Sequence, residues 1–347
     1  MNQIPMKPKE KTIIRRWNDE LAHGIEIGLQ LTNDRRSAAF KGFGEEISHL
    51  APKVRIQKIH TDSDRLPAIQ IGKNIRYHAV PLGRELEPFL ATLSLLSDPS
   101  KRTRHAELEK INRRTALTLY IALECSFCPQ AVRKLTPLAI GNPLVELSII
   151  DAAVFEDLAK KDRIGSVPTV VLDGLYRWTG NPPVAEIIKT MIHRSPLQLS
   201  AETLESMLKQ GEAEQVAAMM IRHGSILPAF IDLLTHEKWS LRLGAMVTME
   251  FILEKNEDLA VQAVNLLLDR IQVLDDSVKG DVVYLLGKIG NDAIISKLES
   301  LLTGSDNPEL KEAVAEAVDR IKSKEVKFDS ACSEDEGTCG LPDFLKS

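Results

Sequence analysis

Hydrophobic positions along the chain change their period near residue 195. From Gly24 to about Met191, apolar runs of strand length alternate with stretches in which apolar residues recur every three or four positions. Ile25, Ile27 and Leu29 alternate with Glu26, Gly28 and Gln30, the pattern of a half-buried strand. A strand over Leu117 to Leu123 leads into a helix through "PQAVRKLTPL". A strand "LVELSIID", a helix from Val154 to about Arg163 and an apolar strand headed by Pro168 in "GSVPTVVLDG" follow. From about Ala201 to Ile321 the apolar spacing is helical throughout. The two periods predict an α/β first half and an all-α second half.

The second half repeats itself. In "WSLRLGAMVTMEFI", "DSVKGDVVYLLGKI" and "PELKEAVAEAVDRI", Leu241, Val278 and Leu310 align, as do Met246, Val283 and the apolar Val314 and Val318. Spacings of 37 and 32 residues suit paired-helix solenoid units. The pattern resembles HEAT repeats, including an Asp or Asn just before the second helix of a unit, here Asp276 and Asn307. An irregular helical bundle is the plainer alternative. Either way, such stacks offer surfaces rather than reactive groups.

With 347 residues the chain can bury two or three cores without disulfides. A net charge of -5 gives no sign of a nucleic-acid-binding surface, so partners are expected to be proteins or small molecules. The stretch "MNQIPMKPKEKTIIRRW" has no apolar signal core, and no window approaches the roughly 18 apolar residues of a membrane span. A cytoplasmic protein without membrane contact is the expectation. In that compartment, four cysteines point to metal or redox chemistry rather than a disulfide framework.

Two of the four, Cys125 and Cys128, stand two residues apart at the end of the apolar run Leu117 to Leu123, where a helix begins. Unpaired backbone N–H groups and the positive end of the helix dipole favour thiolate at such a place. Cys125 is the better-placed nucleophile, and Cys128, almost a turn further in, is suited to resolve a mixed disulfide formed on Cys125. Pro129 sits in the first turn, where it leaves no amide unsatisfied. Glu124 works against the thiolate, to an extent set by where its side chain points.

The order of strand, Cys-x-x-Cys helix, strand, helix and Pro-headed strand, with Pro168 forty positions after Cys128, resembles the thioredoxin fold. In that fold the matching proline is cis and its loop faces the dithiol, leaving backbone free to pair with an extended substrate. The resemblance assigns that role to Val167 and Pro168. The likeness extends upstream, where "GIEIGLQLTNDRRSAAFKGFGEEISHLAPKVRIQKI" and "PAIQIGKNIRYHAVPLGRELEPFLATL" repeat the plan with Val80 and Pro81. Thr32, Asn33 and Asp34 stand there in place of cysteines. A cysteine-free unit fused to a Cys-x-x-Cys-Pro unit is similar to the N-terminal domain of the flavoprotein subunit of bacterial alkyl hydroperoxide reductase. It is also similar to the tandem glutaredoxin-like protein disulfide oxidoreductases of thermophiles.

The expected architecture is therefore α/β tandem thioredoxin-like folds followed by an all-α HEAT-like helical repeat domain. Its parts are a cysteine-free fold over 20–100, a Cys-x-x-Cys fold over 101–195, HEAT-like repeats over 201–325 and a flexible, acidic, cysteine-containing tail over 326–347. The resemblance implies a thiol-disulfide oxidoreductase that needs no cofactor of its own. Its catalytic residues are Cys125 and Cys128, and its substrate-binding residues are Phe127, Val167 and Pro168. No G-x-G-x-x-G occurs, so an external thioredoxin-reductase-like flavoprotein is implied as electron donor, with protein disulfides, a peroxiredoxin among them, as acceptors. Ser126 and Phe127 between the cysteines leave the direction of electron flow open, and Phe127 would present an apolar face to partners. The rival reading is a redox-sensing scaffold whose helical repeats bind a partner.

Cys332 and Cys339 admit three readings: accessory thiols that exchange with Cys125, part of a four-thiol zinc site, or bystanders. A six-residue gap in an acidic stretch fits a zinc knuckle poorly, so no metal is expected. His193, His223 and His236 read as solvated or capping residues, Arg113 and Arg114 as a solvated edge, and Trp178 as core.

Overall fold

The computed structural model describes residues 5–60, 66–102, 105–303 and 307–333, with His60 and residues 325–333 described by backbone alone. The chain divides into two compact units, Met1–Gln210 and Gly211–Ser347.

The first unit is built on eight strands: β1 (Ile25–Leu31), β2 (Val54–His60), β3 (Ala68–Ile71), β4 (Ile75–His78), β5 (Thr115–Ile121), β6 (Val145–Asp151), β7 (Thr169–Leu172) and β8 (Tyr176–Thr179). They form one sheet in the order β2-β1-β3-β4-β6-β5-β7-β8. Each group of four repeats one plan. The first strand runs parallel to the second and antiparallel to the third, and the third and fourth form a hairpin. Parallel pairing of β4 with β6, Ile75 opposite Leu147, joins the groups. The C-terminal ends of β1 and β5 therefore open on the same edge of the sheet.

The local chemistry explains these elements. Ile25, Ile27 and Leu29 are buried and Glu26 is exposed, as alternation requires of a strand with one wet face. Interior strand β5 buries Leu117, Leu119 and Ile121 completely, each removal from water contributing roughly 1.5–3 kcal/mol. The β7–β8 hairpin is closed by the three residues Asp173, Gly174 and Leu175, the first two at positive φ, a conformation that an Asp-Gly pair adopts readily. Asp173 also accepts a hydrogen bond from the Ala116 amide at 2.9 Å.

The α-helices of this unit among the described residues are α1 (Pro8–Glu20), α2 (Ser37–Leu50), α3 (Leu86–Ser97), α4 (Cys128–Gly141), α5 (Glu156–Lys161), α6 (Val184–His193) and α7 (Ala201–Lys209). Helices α3 and α4, one from each half of the sheet, pack together, with the Thr92 hydroxyl donating to Thr136 at 3.2 Å. Phe89 of α3 lies edge-on to both Tyr77 and Phe43 in the core of the first half. Helix α7 differs from expectation. Its helical period assigned it to the second half, yet it packs on β8, where Ser206 donates to the Thr179 carbonyl at 3.2 Å.

The second unit is helical: α8 (Ala213–His223), α9 (Pro228–Leu234), α10 (Trp239–Lys255), α11 (Glu257–Val261), α12 (Ala263–Ile271), α13 (Asp276–Ile289), α14 (Ile295–Ser300) and α15 (Pro308–Ser333). The aligned residues Leu241, Val278 and Leu310 each occupy the third position of α10, α13 and α15, and all three are buried. Asn307 precedes α15, its Oδ1 accepting from the Glu309 and Leu310 amides while its Nδ2 donates to Asp276. Helices α13 and α15 approach closely at Gly287, where a Cβ would lie 2.8 Å from the Cα of Ala317. Helix α15 continues to Ser333, past residue 326 where the flexible tail was expected to begin. Cys332 falls on its backbone, and Cys339 lies outside the described residues.

Candidate functional site

Strand β5 ends at Ile121, two residues short of the expected limit. A turn closed by the Cys125 amide on the Ala122 carbonyl, 3.0 Å, then presents Cys125 ahead of α4. Helix α4 begins at Cys128, with Phe127 as its N-cap and Pro129 in its first turn. Cys125 and Cys128 are joined by a disulfide with their Cα atoms 5.5 Å apart. The Cys128 amide donates to Cys125 Sγ at 3.1 Å. That N–H is one of the four at a helix start with no intrahelical acceptor, so on reduction it supports negative charge on Cys125 sulfur.

The two sulfurs differ in access. Cys128 is completely buried, whereas Cys125 is partly open to solvent between Glu124 and exposed Ser126. Phe127 is 67% exposed, an unusual position for a phenyl ring. On the facing side, Cys125 Sγ lies 3.6 Å from the Val167 carbonyl oxygen. The Val167–Pro168 peptide is cis, and Val80–Pro81 in the first half is not. Thr169 donates to the Ser166 carbonyl at 2.7 Å and the Gly180 amide to the Pro168 carbonyl at 2.8 Å, which fixes this loop to the head of β7. Of the residues singled out from the sequence, Cys125, Phe127, Cys128, Val167 and Pro168 thus lie on two adjoining segments at one end of the sheet.

At the corresponding end of β1 a polar bracket replaces the thiols. Arg36, just before α2, donates to Asp34 and Asp157 and to the Val154 carbonyl, and its guanidinium lies 4.1 Å from the Phe155 ring centre. Hydrogen bonds from Arg36 hold the Asp34 carboxyl below its ordinary pKa. Arg36 therefore ties the first half to the segment after β6. Its only sequence signal was the "NDRR" cluster in the cysteine position.

Two acids that sequence reasoning passed over are buried nearby. Asp151 ends β6 and accepts from the Ala153 amide at 2.9 Å, and burial raises its pKa. Glu85 follows the "VPLG" loop in the 3₁₀ turn Gly83–Glu85, which packs against α4. Burial pushes Glu85 up to about 7, while Tyr77, whose hydroxyl donates to it at 3.5 Å, lowers it in part. A carboxylate just ahead of an apolar helical stretch was the one available signal.

Other sequence expectations can be placed. Trp178 is buried and donates to Glu186 at 2.8 Å. Arg113 and Arg114 are exposed, Arg114 pairing with Glu146. His236 accepts from the Lys238 amide at a helix entry. Among the described residues, no three His, Cys, Asp or Glu side chains are grouped to hold a metal ion. No helix among them is long and apolar enough to cross a membrane. Exchange through Cys332 and Cys339 falls outside the described side chains.

A sheet with a Cys-x-x-Cys pair just past the end of an interior strand and a cis-proline loop opposite defines a thioredoxin-like domain. The thioredoxin domain family matches residues 117–193. Similarity to individual proteins runs over longer stretches. An alkyl hydroperoxide reductase component of Pseudomonas aeruginosa is 26% identical over 186 residues, 51% of this chain and 36% of that protein. An NADH dehydrogenase from Ferdinandcohnia aciditolerans is 23% identical over 191 residues, 53% of this chain and 36% of that protein. The chain thus spans little more than a third of the length of these relatives. Among solved structures, a protein disulfide oxidoreductase from Aeropyrum pernix aligns with a TM-score of 0.49 at 17% identity, over 55% of this chain and 94% of the other. The N-terminal domain of the corresponding alkyl hydroperoxide reductase component of Enterococcus faecalis gives 0.48 at 20% identity, over 54% and 100%.

Proposed function

We propose that the protein is a thiol-disulfide oxidoreductase working through Cys125 and Cys128. The observation that carries this reading is the asymmetry of the pair: a partly open sulfur receiving a helix N-terminal amide, and a buried sulfur bonded to it. In the reducing direction, Cys125 thiolate attacks one sulfur of a substrate disulfide, forming a mixed disulfide and expelling the other substrate sulfur as thiolate. Cys128 then loses its proton and attacks Cys125 Sγ, releasing the second substrate thiolate. Two electrons pass to the substrate, the Cys125–Cys128 disulfide remains, and an external thioredoxin-reductase-like flavoprotein restores the dithiol. Protein disulfides in a cytoplasmic setting, with a peroxiredoxin among the acceptors, fit the kinship with alkyl hydroperoxide reductase. The backbone at Val167 and Pro168 would hold an extended substrate by strand addition.

The repeated four-strand plan supports reading the first unit as two thioredoxin folds, the cysteine-free one extending the docking surface. The equivalent places of Leu241, Val278 and Leu310 support HEAT-like repeats in the second.

Reduction of insulin by dithiothreitol tests the activity directly. Catalytic turnover is the expected result, whereas stoichiometric oxidation without turnover overturns the enzyme and favours the redox-sensing scaffold. Phe127 supplies a finer check. Phe127→Ala is expected to lower kcat/KM for protein disulfides about tenfold, the loss of one well-packed aromatic contact, while leaving rates with small disulfides nearly unchanged. Equal losses on both substrates would remove Phe127 from partner recognition.

A further inference from the structure

Arg36 belongs to the cysteine-free half, yet most of its partners lie on a segment that frames the dithiol. That segment runs from Ala152 through α5 to Val167, whose carbonyl faces Cys125 Sγ. It is tied to β5 at two places. The Ala152 amide donates to the Ile121 carbonyl at 2.8 Å, and the Tyr120 hydroxyl donates to Asp162 at 2.5 Å. Between these ties stands α5, six residues long, whose N-cap Phe155 makes no side-chain capping bond. A helix of that length does not hold itself, so its start must be fixed from outside. Arg36 supplies the fixing. It donates to the Val154 carbonyl at 3.3 Å and to Asp157 at 3.1 Å, with its guanidinium 4.1 Å from the centre of the Phe155 ring. Asp34 accepts from the Nε edge of the same guanidinium at 2.9 Å, which aims the rest of the fork at α5.

We propose that Arg36 is a positioning residue for the substrate-facing loop: by holding the first turn of α5, it keeps residues 162–168 in the form with which an extended substrate strand pairs. This deepens the redox reading and rests on it. A loop that is ordered beforehand gives up no further freedom when substrate arrives. Without Arg36, α5 frays from its start, and the substrate must order the loop that follows. The dithiol itself is placed by the turn after β5 and by α4, so Arg36 acts on substrate binding rather than on the sulfur chemistry. The cysteine-free half then contributes a working part of the site through a residue that stands where its own cysteines are missing.

Steady-state reduction of insulin by dithiothreitol, catalysed by the native chain, Arg36→Ala and Asp157→Asn, tests this. Arg36→Ala is expected to raise KM for insulin about tenfold, the cost of ordering roughly one more residue on binding, while kcat and the rate with a small disulfide stay near native. Asp157→Asn, at a side chain 63% exposed, removes one contact without endangering the fold and is expected to raise KM about threefold. A native KM in Arg36→Ala, or in Asp157→Asn should Arg36→Ala not fold, overturns the proposal. A fall in kcat that tracks the folded fraction at native KM makes Arg36 a structural tie and overturns it too. No turnover by the native chain removes the redox reading underneath, a failure distinct from native turnover with an unmoved KM.

Discussion

Cys125→Ser is expected to abolish disulfide turnover, a loss of about a thousandfold or more, because a serine hydroxyl at neutral pH supplies almost no anion where a cysteine supplies a thiolate. The structure makes the two cysteines unequal, so the companion variant behaves differently. In Cys128→Ser the exposed nucleophile remains while the buried resolving sulfur is gone, and a mixed disulfide on Cys125 is expected to accumulate. Non-reducing mass spectrometry of the reaction with an oxidised protein substrate reads both outcomes. Turnover that survives in Cys125→Ser, or an adduct that forms on Cys128 instead, would reverse the assignment drawn from burial and from the Cys128 amide on Cys125 Sγ.

Glu85→Gln is expected to flatten the pH dependence of stability between about pH 4.5 and pH 7. Burial raises this carboxyl from 4.5 to about 7 in the folded protein, so below 4.5 both folded and unfolded chains hold the proton and the contribution is complete. As pH rises through the window, the unfolded chain releases its proton before the folded one does. Stability therefore falls, by about 3.5 kcal/mol at about 1.4 kcal/mol per unit, and levels off once the folded group ionises as well. Glutamine keeps the shape and has no proton to lose. Denaturation curves for both proteins at several pH values across the window measure the difference, and parallel slopes would show that Glu85 ionises normally despite lying wholly inside.

The strands and the dithiol were legible because their signals are local. Alternation around Ile27, the apolar run into Cys125 and the Val-Pro pair forty positions beyond Cys128 each survive as patterns in a few consecutive residues. What escaped depends on residues distant in the chain. Arg36 reaches Asp157 across 121 positions, and Glu85 owes its environment to Tyr77 and to α4 rather than to its neighbours. Boundaries failed for a related reason. Helical periodicity in α7 says that one face is apolar without saying what that face meets, and here it meets β8. Polar, cysteine-bearing residues at the end of α15 read as loop by composition, whereas the preceding turns carry the helix through to Ser333.

That placement of α7 bears on how the sheet is kept from pairing with other chains. Strand β8 is the last in the sheet, hydrogen-bonded to β7 alone, and such a border is a template for unwanted strand addition. Ser200 starts α7 by accepting the Thr203 amide, and Ser206 then places a hydroxyl on the Thr179 carbonyl. The helix covers the Thr179 end of that border strand. A fragment cut at residue 195 would lose that cover, whereas one carried through Gln210 keeps it. The border between the two units accordingly falls one helix later than the change in hydrophobic period suggests.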